Sequence, residues 1–521
     1  MNFPYLTALL AVPAAGGALV ALVPAHRHGA IRAIAIGTTL VVAVLAGATV
    51  VAFDPGQAGY QFLESRGWIT ALGIRYTVGI DGISLFMVAL TALLFPISLL
   101  ASTKIERRVK TYHALMLLLE VALIGVFLSL DLFLFFVFWE VVLVPMYFII
   151  GIWGYDRRIY AAIKFFIYTA AGSALLLLGI LTLVFLHARA PGAHLTFDLR
   201  TLTEWNGLAE NTARWLFLAF FASFAIKVPL FPLHTWLPDA HVEAPTAGSV
   251  LLAGVLLKLG AYGFIRFSLG LFPQAAVDFA PFLLTLATVG IIYGAVVAAM
   301  QSDLKKLVAY SSVAHLGFVV LGTFAITTIG LQGGLFTMVS HGLTTGALFL
   351  LVGMLYDRRH TRDISAFGGV WKPAPKLGGI FLAITFASIG LPGLSGFVGE
   401  FLSLLGAFVV HRPYAAVSTV GVILAAVYML WAFQRVFTGQ PEGENVRFRD
   451  LDRRELATVV PLLVLSLALG VYPKPLLSRV EPSVKALVAH VESRTGYRQP
   501  DVVERGARAA SVQSTRREGG D

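Results

Sequence analysis

The sequence predicts an all-α protein that crosses a membrane many times. Three observations carry that prediction. First, 57% of the 521 residues are hydrophobic and only 13% are charged, where a soluble domain carries roughly 25% charged residues. The mean hydropathy is +0.80. Second, the apolar residues fall in continuous runs of about 20, the length of a membrane-spanning helix and too long for barrel strands. Third, the few charges inside those runs stand alone, and two runs are broken by proline.

Taken in order, the apolar runs give about fourteen spans. They fall near 4–23, 31–53, 82–101, 112–130, 132–152, 161–187, 215–230, 247–267, 279–300, 304–324, 330–356, 377–410, 415–437 and 456–471. The first run lacks a clear small-residue cleavage site and reads as a span. Alternate loops divide the basic residues 20 against 6. The positive-inside rule places the richer set, which includes Lys104, Arg157 and Arg358, in the cytoplasm and the N-terminus outside. That count puts the C-terminal tail outside too, although the tail from Lys474 carries nine Lys/Arg. From about Ser493 it is polar and Arg-rich, which predicts little order.

The stretch 213–263 is the most informative. An apolar run ends on a bare lysine, Lys227, and two prolines follow, Pro229 and Pro232. Proline removes a backbone donor and clashes with the preceding turn, so the helix breaks there. In hydrocarbon such a break is tolerated only inside protein or beside water. The next run carries a second lone lysine, Lys258. A lysine at a span centre costs about 2.5–3.5 kcal/mol on insertion scales. Glu140, Glu120 and Glu400 are equally isolated in their own runs, and His315 and His341 sit within two others.

These residues admit two readings. In one they are structural ion pairs; Glu140 with Lys227 would make one, but Lys258 and Glu400 are left without charged partners. In the other, Glu140, Lys227, Lys258, His315, His341 and Glu400 form a proton relay. Opposing effects of burial and of neighbouring charge then allow each group to load and release a proton as its neighbour changes. His234, Asp239, His241 and Glu243 suggest a metal site, but the surrounding prolines disfavour a compact helical ligand set. Lys164 and Arg266, near span ends, read as snorkelling cations. Asp303, Lys305 and Lys306 read as a surface charge set.

Spacing adds an internal repeat. Glu140 precedes Lys227 by 87 residues and His315 precedes Glu400 by 85. The second member of each pair lies in a broken run, the later break being Leu391-Pro392-Gly393. Two inverted five-helix repeats, 112–270 and 271–440, each with a broken helix, account for this. They follow an N-terminal section 1–111 with three spans, and precede one further span in 441–475 and a basic tail, 476–521.

Several functions are excluded. With no cysteine, the chain holds no disulfide, thiolate zinc site or Cys-ligated iron–sulfur cluster. No phosphate-binding motif stands in a strand–helix context. The net charge of +10 is explained by loop topology, so nucleic acid is not an expected partner.

The segments LFFVFWEVVLVPMYFIIGIWG, KFFIYTAAGS, KVPLFPLHTWLPDAHVEAPTAGSVLLAGVLLKLGAYG and SDLKKLVAYSSVAHLGF resemble the antiporter-like subunits of respiratory complex I. These in turn resemble subunits of multi-subunit sodium/proton antiporters and membrane-bound hydrogenases. The resemblance covers roughly residues 80–440. It implies that Lys227 is the broken-helix lysine, Glu140 its paired glutamate and Lys258 the central lysine. One antiporter-like subunit ends the charge row on glutamate and the other two on lysine; Glu400 matches the glutamate form. The basic tail is not explained by the family pattern. The resemblance further implies a subunit of NADH:quinone oxidoreductase with no redox centre of its own, in a bacterial plasma membrane. FMN, iron–sulfur clusters and quinone belong to other subunits. The partners would be membrane lipids and other membrane-arm subunits, two of them antiporter-like. The alternatives are a cation/proton antiporter subunit, against which Glu400 argues, and a scaffold whose buried charges are structural.

Overall fold

The computed structural model describes residues 3–500; the end of the basic tail, 501–521, lies outside them. Two apolar helices open the chain, α1 (Tyr5–Leu22) and α2 (His28–Ala52). A feature absent from the sequence reading follows: an antiparallel hairpin of β1 (Gln61–Ile69) and β2 (Ile74–Ile80). β1 is largely exposed and β2 largely buried, with no regular alternation in either, so period-two patterning gave no signal.

Asp81 then caps α3 (Gly82–Ala101), accepting from the backbone N–H groups of Ile83 and Ser84, as expected of an aspartate before a helix. After α3 come α4 (Val109–Leu128), α5 (Leu132–Val141), α6 (Leu143–Trp153) and α7 (Arg158–Ala188). The division between α5 and α6 has a simple cause: Pro145 has no N–H for the Val141 carbonyl. A short α8 (Leu199–Glu204) leads to α9 (Glu210–Lys227), which ends at the lysine as the prolines demand. The chain resumes as α10 (Trp236–Glu243), and Pro245 separates it from α11 (Thr246–Leu251).

The helix that continues from α11 is irregular. A π turn, Leu252–Leu256, leads into α12 (Leu257–Gly263). A second, Phe264–Ser268, leads into α13 (Leu269–Leu271). Lys258 therefore stands between two π turns, features that gather at functional sites. Then follow α14 (Pro273–Ala299), α15 (Leu304–Phe324), α16 (Thr328–Arg359), α17 (Pro375–Ser388), α18 (Ser395–Val410), α19 (Arg412–Phe437) and α20 (Arg453–Val471).

Among the described residues, twelve helices are long and apolar enough to cross a membrane. The expected seventh and twelfth spans are the interrupted ones: α9 with α10, and α17 with α18. Burial is graded. Every residue from 247 to 271 is buried, as is the central run 333–352 of α16, and α15 is nearly so, whereas most residues of α1, α2 and α20 are not buried. The three buried helices carry Lys258, His341 and His315, so the lone polar groups lie in the middle of the bundle.

The basic loops of the richer set meet one another at one end. Lys104 pairs with Asp357, Arg358 with Glu455 and Arg362 with Asp303. At the opposite end the tail differs from expectation. Residues Lys474–Arg494 form a helix, α21, because Leu476, Val480, Val484, Val488 and Val491 recur at helical spacing and are buried. It is too polar to register as a span. Its Ser483 hydroxyl accepts from the Gly82 N–H at 3.0 Å. Beyond the helix, Tyr497 donates to the Ile326 carbonyl at 3.0 Å. The expected loss of order from Ser493 therefore does not hold as far as residue 500.

Candidate functional site

Four elements converge at mid-bundle. The Nζ of Lys258, on α12, donates to the Ala253 carbonyl in the π turn behind it. It also lies 2.7 Å from Nδ1 of His341 on α16. The ring of His341 lies 5.8 Å, centroid to centroid, from that of His315 on α15. His315 Nδ1 lies 2.5 Å from Oε1 of Glu400 on α18. Lys258 is fully buried and the other three are at most 5% exposed. Four polar side chains from four helices thus make a line inside apolar packing. The Nε2 atoms of both histidines lack a protein partner among the described residues.

The backbone explains how Glu400 reaches this line. Between α17 and α18 the chain breaks over 389–394, where Gly390 and Gly393 adopt φ of +76° and +91°, which side-chain-bearing residues rarely adopt. Gly390 lies against the Glu400 carboxylate, since a Cβ there would stand 3.5 Å from Oε2. The following serine, Ser395, links three helices through hydroxyl contacts with Ser340 at 2.8 Å and Ser466 at 2.7 Å. Tyr428 of α19, also buried, stands within electrostatic reach of Glu400 and beside Ser311.

The other half of the row is arranged differently. Lys227, 2% exposed, ends α9, and its Nζ lies 4.8 Å from the centre of the Trp139 ring. Glu140 is within electrostatic reach of it. The expected ion pair is not closed, however: Lys227 Nζ and Glu140 Oε1 are both buried without a hydrogen-bond partner among the described residues. The cause is local. Glu140 precedes the α5/α6 break, and the indole before it, held by a hydrogen bond to Ser173 at 3.0 Å, takes the place over the ammonium. The motif FWE was visible in the sequence; the cation–π contact was not inferred from it.

Lys227 is not hydrogen-bonded to Lys258, but their helices are pressed together. A Cβ on Gly260 would meet the Phe224 carbonyl at 2.6 Å and the Val228 N at 2.8 Å. Glycine at 260 lets α12 lie against the very turn where α9 ends.

The structure also places the other polar residues that the sequence singles out. The metal set does not assemble: Asp239 pairs with Lys164 at 2.7 Å, Glu243 accepts from the Arg157 N–H and His241 stacks on Phe349. Among the described residues no three His, Cys, Asp or Glu side chains form a metal-holding group. Lys164 therefore reaches to a carboxylate, not to a headgroup. Arg266 is likewise no snorkelling cation: it is 8% exposed and pairs with Asp81 at 2.5 Å, with hydrogen bonds to Tyr60 and Tyr262. Burial pushes the Tyr60 hydroxyl, beside this pair, up to about 12. Lys305 is buried, while its neighbour Lys306 is the exposed member of that set. Glu120 is fully buried and neither carboxyl oxygen has a hydrogen-bond partner among the described residues.

A bundle with two interrupted spans and a buried polar line defines a class, the membrane subunits of ion-translocating complexes. Comparison with known proteins places it more closely. Residues 129–427 match the family described as NADH:quinone oxidoreductase/Mrp antiporter, transmembrane. Residues 60–129 match NADH-ubiquinone oxidoreductase chain 4, amino terminus. NADH-quinone oxidoreductase subunit M of Rhodobacter capsulatus is 46% identical over 93% of this chain and 96% of its own length. NADH-ubiquinone oxidoreductase chain 4 of Marchantia polymorpha is 44% identical over 93% and 97%. A chain of respiratory complex I from Thermus thermophilus superposes with a TM-score of 0.85 at 33% identity, covering 93% of this chain and 99% of that one. An Mrp complex chain from Dietzia superposes at 0.82 with 22% identity, a likeness of fold alone. The chain belongs to the NADH:quinone oxidoreductase/Mrp antiporter family, among the subunit M and chain 4 proteins of complex I.

Proposed function

We propose that this chain is a proton-translocating membrane-arm subunit of an NADH:quinone oxidoreductase. The observation that carries the reading is the buried line Lys258–His341–His315–Glu400. In this reading a proton enters from the cytoplasmic face. It passes to Lys258, either directly or after Lys227 has loaded, and moves through the two imidazoles to Glu400. Each imidazole has one nitrogen engaged and one without a protein partner, so it accepts on one side and donates from the other. Between His341 and His315, ordered water would complete the link. Glu400 beside the Gly390–Gly393 break is the outlet carrier toward the side opposite the cytoplasm.

Glu140 acts on Lys227 through its charge. Closing or opening that gap alters how firmly Lys227 holds a proton. The repeat units 112–270 and 271–440 then correspond to a loading half and a release half, related by inversion. The chain lies in a bacterial plasma membrane with its N-terminus outside, as the clustering of basic loops at one end supports. NADH oxidation at FMN, electron transfer through iron–sulfur clusters and quinone reduction belong to other subunits; two further antiporter-like subunits are its neighbours.

The test is pumping by the assembled complex in sealed inverted vesicles. Lys258→Met should leave assembly intact and abolish proton uptake through this subunit. A cation/proton antiporter is distinguished by cation-dependent proton exchange without NADH, which this reading does not expect.

A further inference from the structure

The carboxyl end of α10 has a chemical problem. Pro245 stops the helix, so the carbonyls of its last turn lose their helical partners, and the negative end of the helix dipole collects there. The His241 carbonyl accepts from the Ser249 hydroxyl and the Glu243 carbonyl from the Tyr155 N–H, both at 2.9 Å, which leaves those of Val242 and Ala244. Two cations answer it. Lys305 Nζ donates to the Ala244 carbonyl at 2.6 Å and, more weakly, to the Val242 carbonyl at 3.4 Å. Arg362 donates from Nη1 to the Val242 carbonyl at 2.9 Å and from Nε to the Asp303 carboxylate at 3.1 Å.

The two differ in setting. Arg362 lines an open cavity of about 360 Å³ with Asp156 and His360, whereas Lys305 is 4% exposed. The Tyr155 ring lies 5.0 Å from each cation. Burial pushes the Tyr155 hydroxyl up to about 12, so this ring is uncharged and presents a π face to both.

The latched turn carries His241, fully buried, parallel to Phe349 at 4.6 Å and, among the described residues, with no hydrogen-bond partner on either nitrogen. Lys305 and Lys258 are both within electrostatic reach of that ring. Ala244 also precedes Pro245 and Thr246, where the helix that carries Lys258 begins. The amino end of α10 is tied separately, by the Trp236 indole donating to the Ile226 carbonyl at 2.9 Å.

We propose that Lys305 is a positioning residue: its ammonium latches the junction of α10 and α11, holding His241 and the start of the Lys258 helix in register at the cytoplasmic entrance. The proposal rests on the proton-translocation reading. The ammonium does not leave its carbonyls during turnover; its work is to keep a polar, proline-broken junction closed against the bundle, where an uncharged side chain would let the turn open.

The experiment uses the whole complex in inverted vesicles, which present the cytoplasmic face. Because the chain has no cysteine, Val242→Cys puts this subunit's only thiol on the latched turn, at a site 5% exposed. A membrane-impermeant maleimide, followed by mass analysis of this chain, reads its exposure. Labelling should be slow with Lys305 present and at least about tenfold faster with Lys305→Met, the opening expected when one charge-assisted hydrogen bond is lost. Protons moved per NADH oxidised should fall in the same variant. Lys305→Arg should restore both, and Lys306→Met should alter neither. If Lys305→Met does not assemble, Lys305→Gln takes its place with the same expectations. Unchanged labelling in the neutral variant overturns the proposal. So does faster labelling with normal pumping, or labelling equally fast in the arginine variant. The underlying reading fails by a different result, normal pumping by Lys258→Met, which labelling does not touch.

Discussion

Glu400→Gln removes one proton-binding group and changes little else. Glutamine matches the side chain in size, and its carbonyl oxygen is able to accept from His315 Nδ1, which stands 2.5 Å from Oε1 in the native site. The surrounding supports do not depend on charge: Gly390 at the break and the Ser340–Ser395–Ser466 hydroxyls stay as they are. What is lost is the charge-assisted part of one hydrogen bond, about 1–2 kcal/mol of stability, too little to prevent assembly of a subunit this size. The effect on transport is much larger. A positioned acid–base group contributes about 10²–10⁴-fold to a proton-transfer step, and the amide has no proton to give. It also forfeits the means of release against the membrane potential, where each charge costs about 2.3 kcal/mol per 100 mV. Proton uptake by sealed inverted vesicles, with assembly confirmed and NADH oxidation measured alongside, should fall by about 100-fold or more for this channel. Glu400→Lys should retain part of it, since an amine also titrates. Full pumping by the glutamine variant would show that the row does not end at Glu400.

Other consequences follow from the same geometry. Arg266→Met strands the Asp81 carboxylate and should destabilise the subunit by about 3–5 kcal/mol, read as a lower unfolding temperature of the complex. Adding Asp81→Asn should recover part of that loss, and strictly additive costs would refute the pairing. Glu140→Ala should abolish coupled pumping with a smaller stability effect, because the pair with Lys227 is open and the ammonium keeps its Trp139 face; normal proton uptake would remove Glu140 from the mechanism. Gly260→Val drives a side chain into the Phe224–Val228 turn and should cost about 1–3 kcal/mol, lowering complex yield, whereas unchanged yield and stability would contradict the close approach.

Much of this was legible in the chain because hydrocarbon makes polar residues conspicuous. Lys227, Lys258, Glu140 and Glu400 stood out as lone charges, and Pro229 and Pro392 marked the breaks. Partners were less legible, because a partner is chosen by the rotation of a helix about its axis. Trp139 displaced Glu140 as the neighbour of Lys227 for that reason. Lys164 and Arg266 looked like snorkelling cations because they lie near span ends, and Lys305 looked like part of a surface charge set with Asp303 and Lys306. Their partners, Asp239, Asp81 and the Ala244 carbonyl, are distant in sequence or carry no sequence signal at all. The hairpin at 61–80 and helix α21 escaped notice because neither is apolar enough to register as a span.

The central claim is that the buried row carries protons and does not merely brace the bundle. The most direct measurement is the number of protons moved per NADH oxidised by vesicles bearing the assembled Lys258→Met complex. Lys258 is fully buried and joins His341 at 2.7 Å, so its replacement cuts the row at its start. A reduced proton yield in a fully assembled complex is the predicted result. An unchanged yield, or a complex that fails only in assembly, would contradict it.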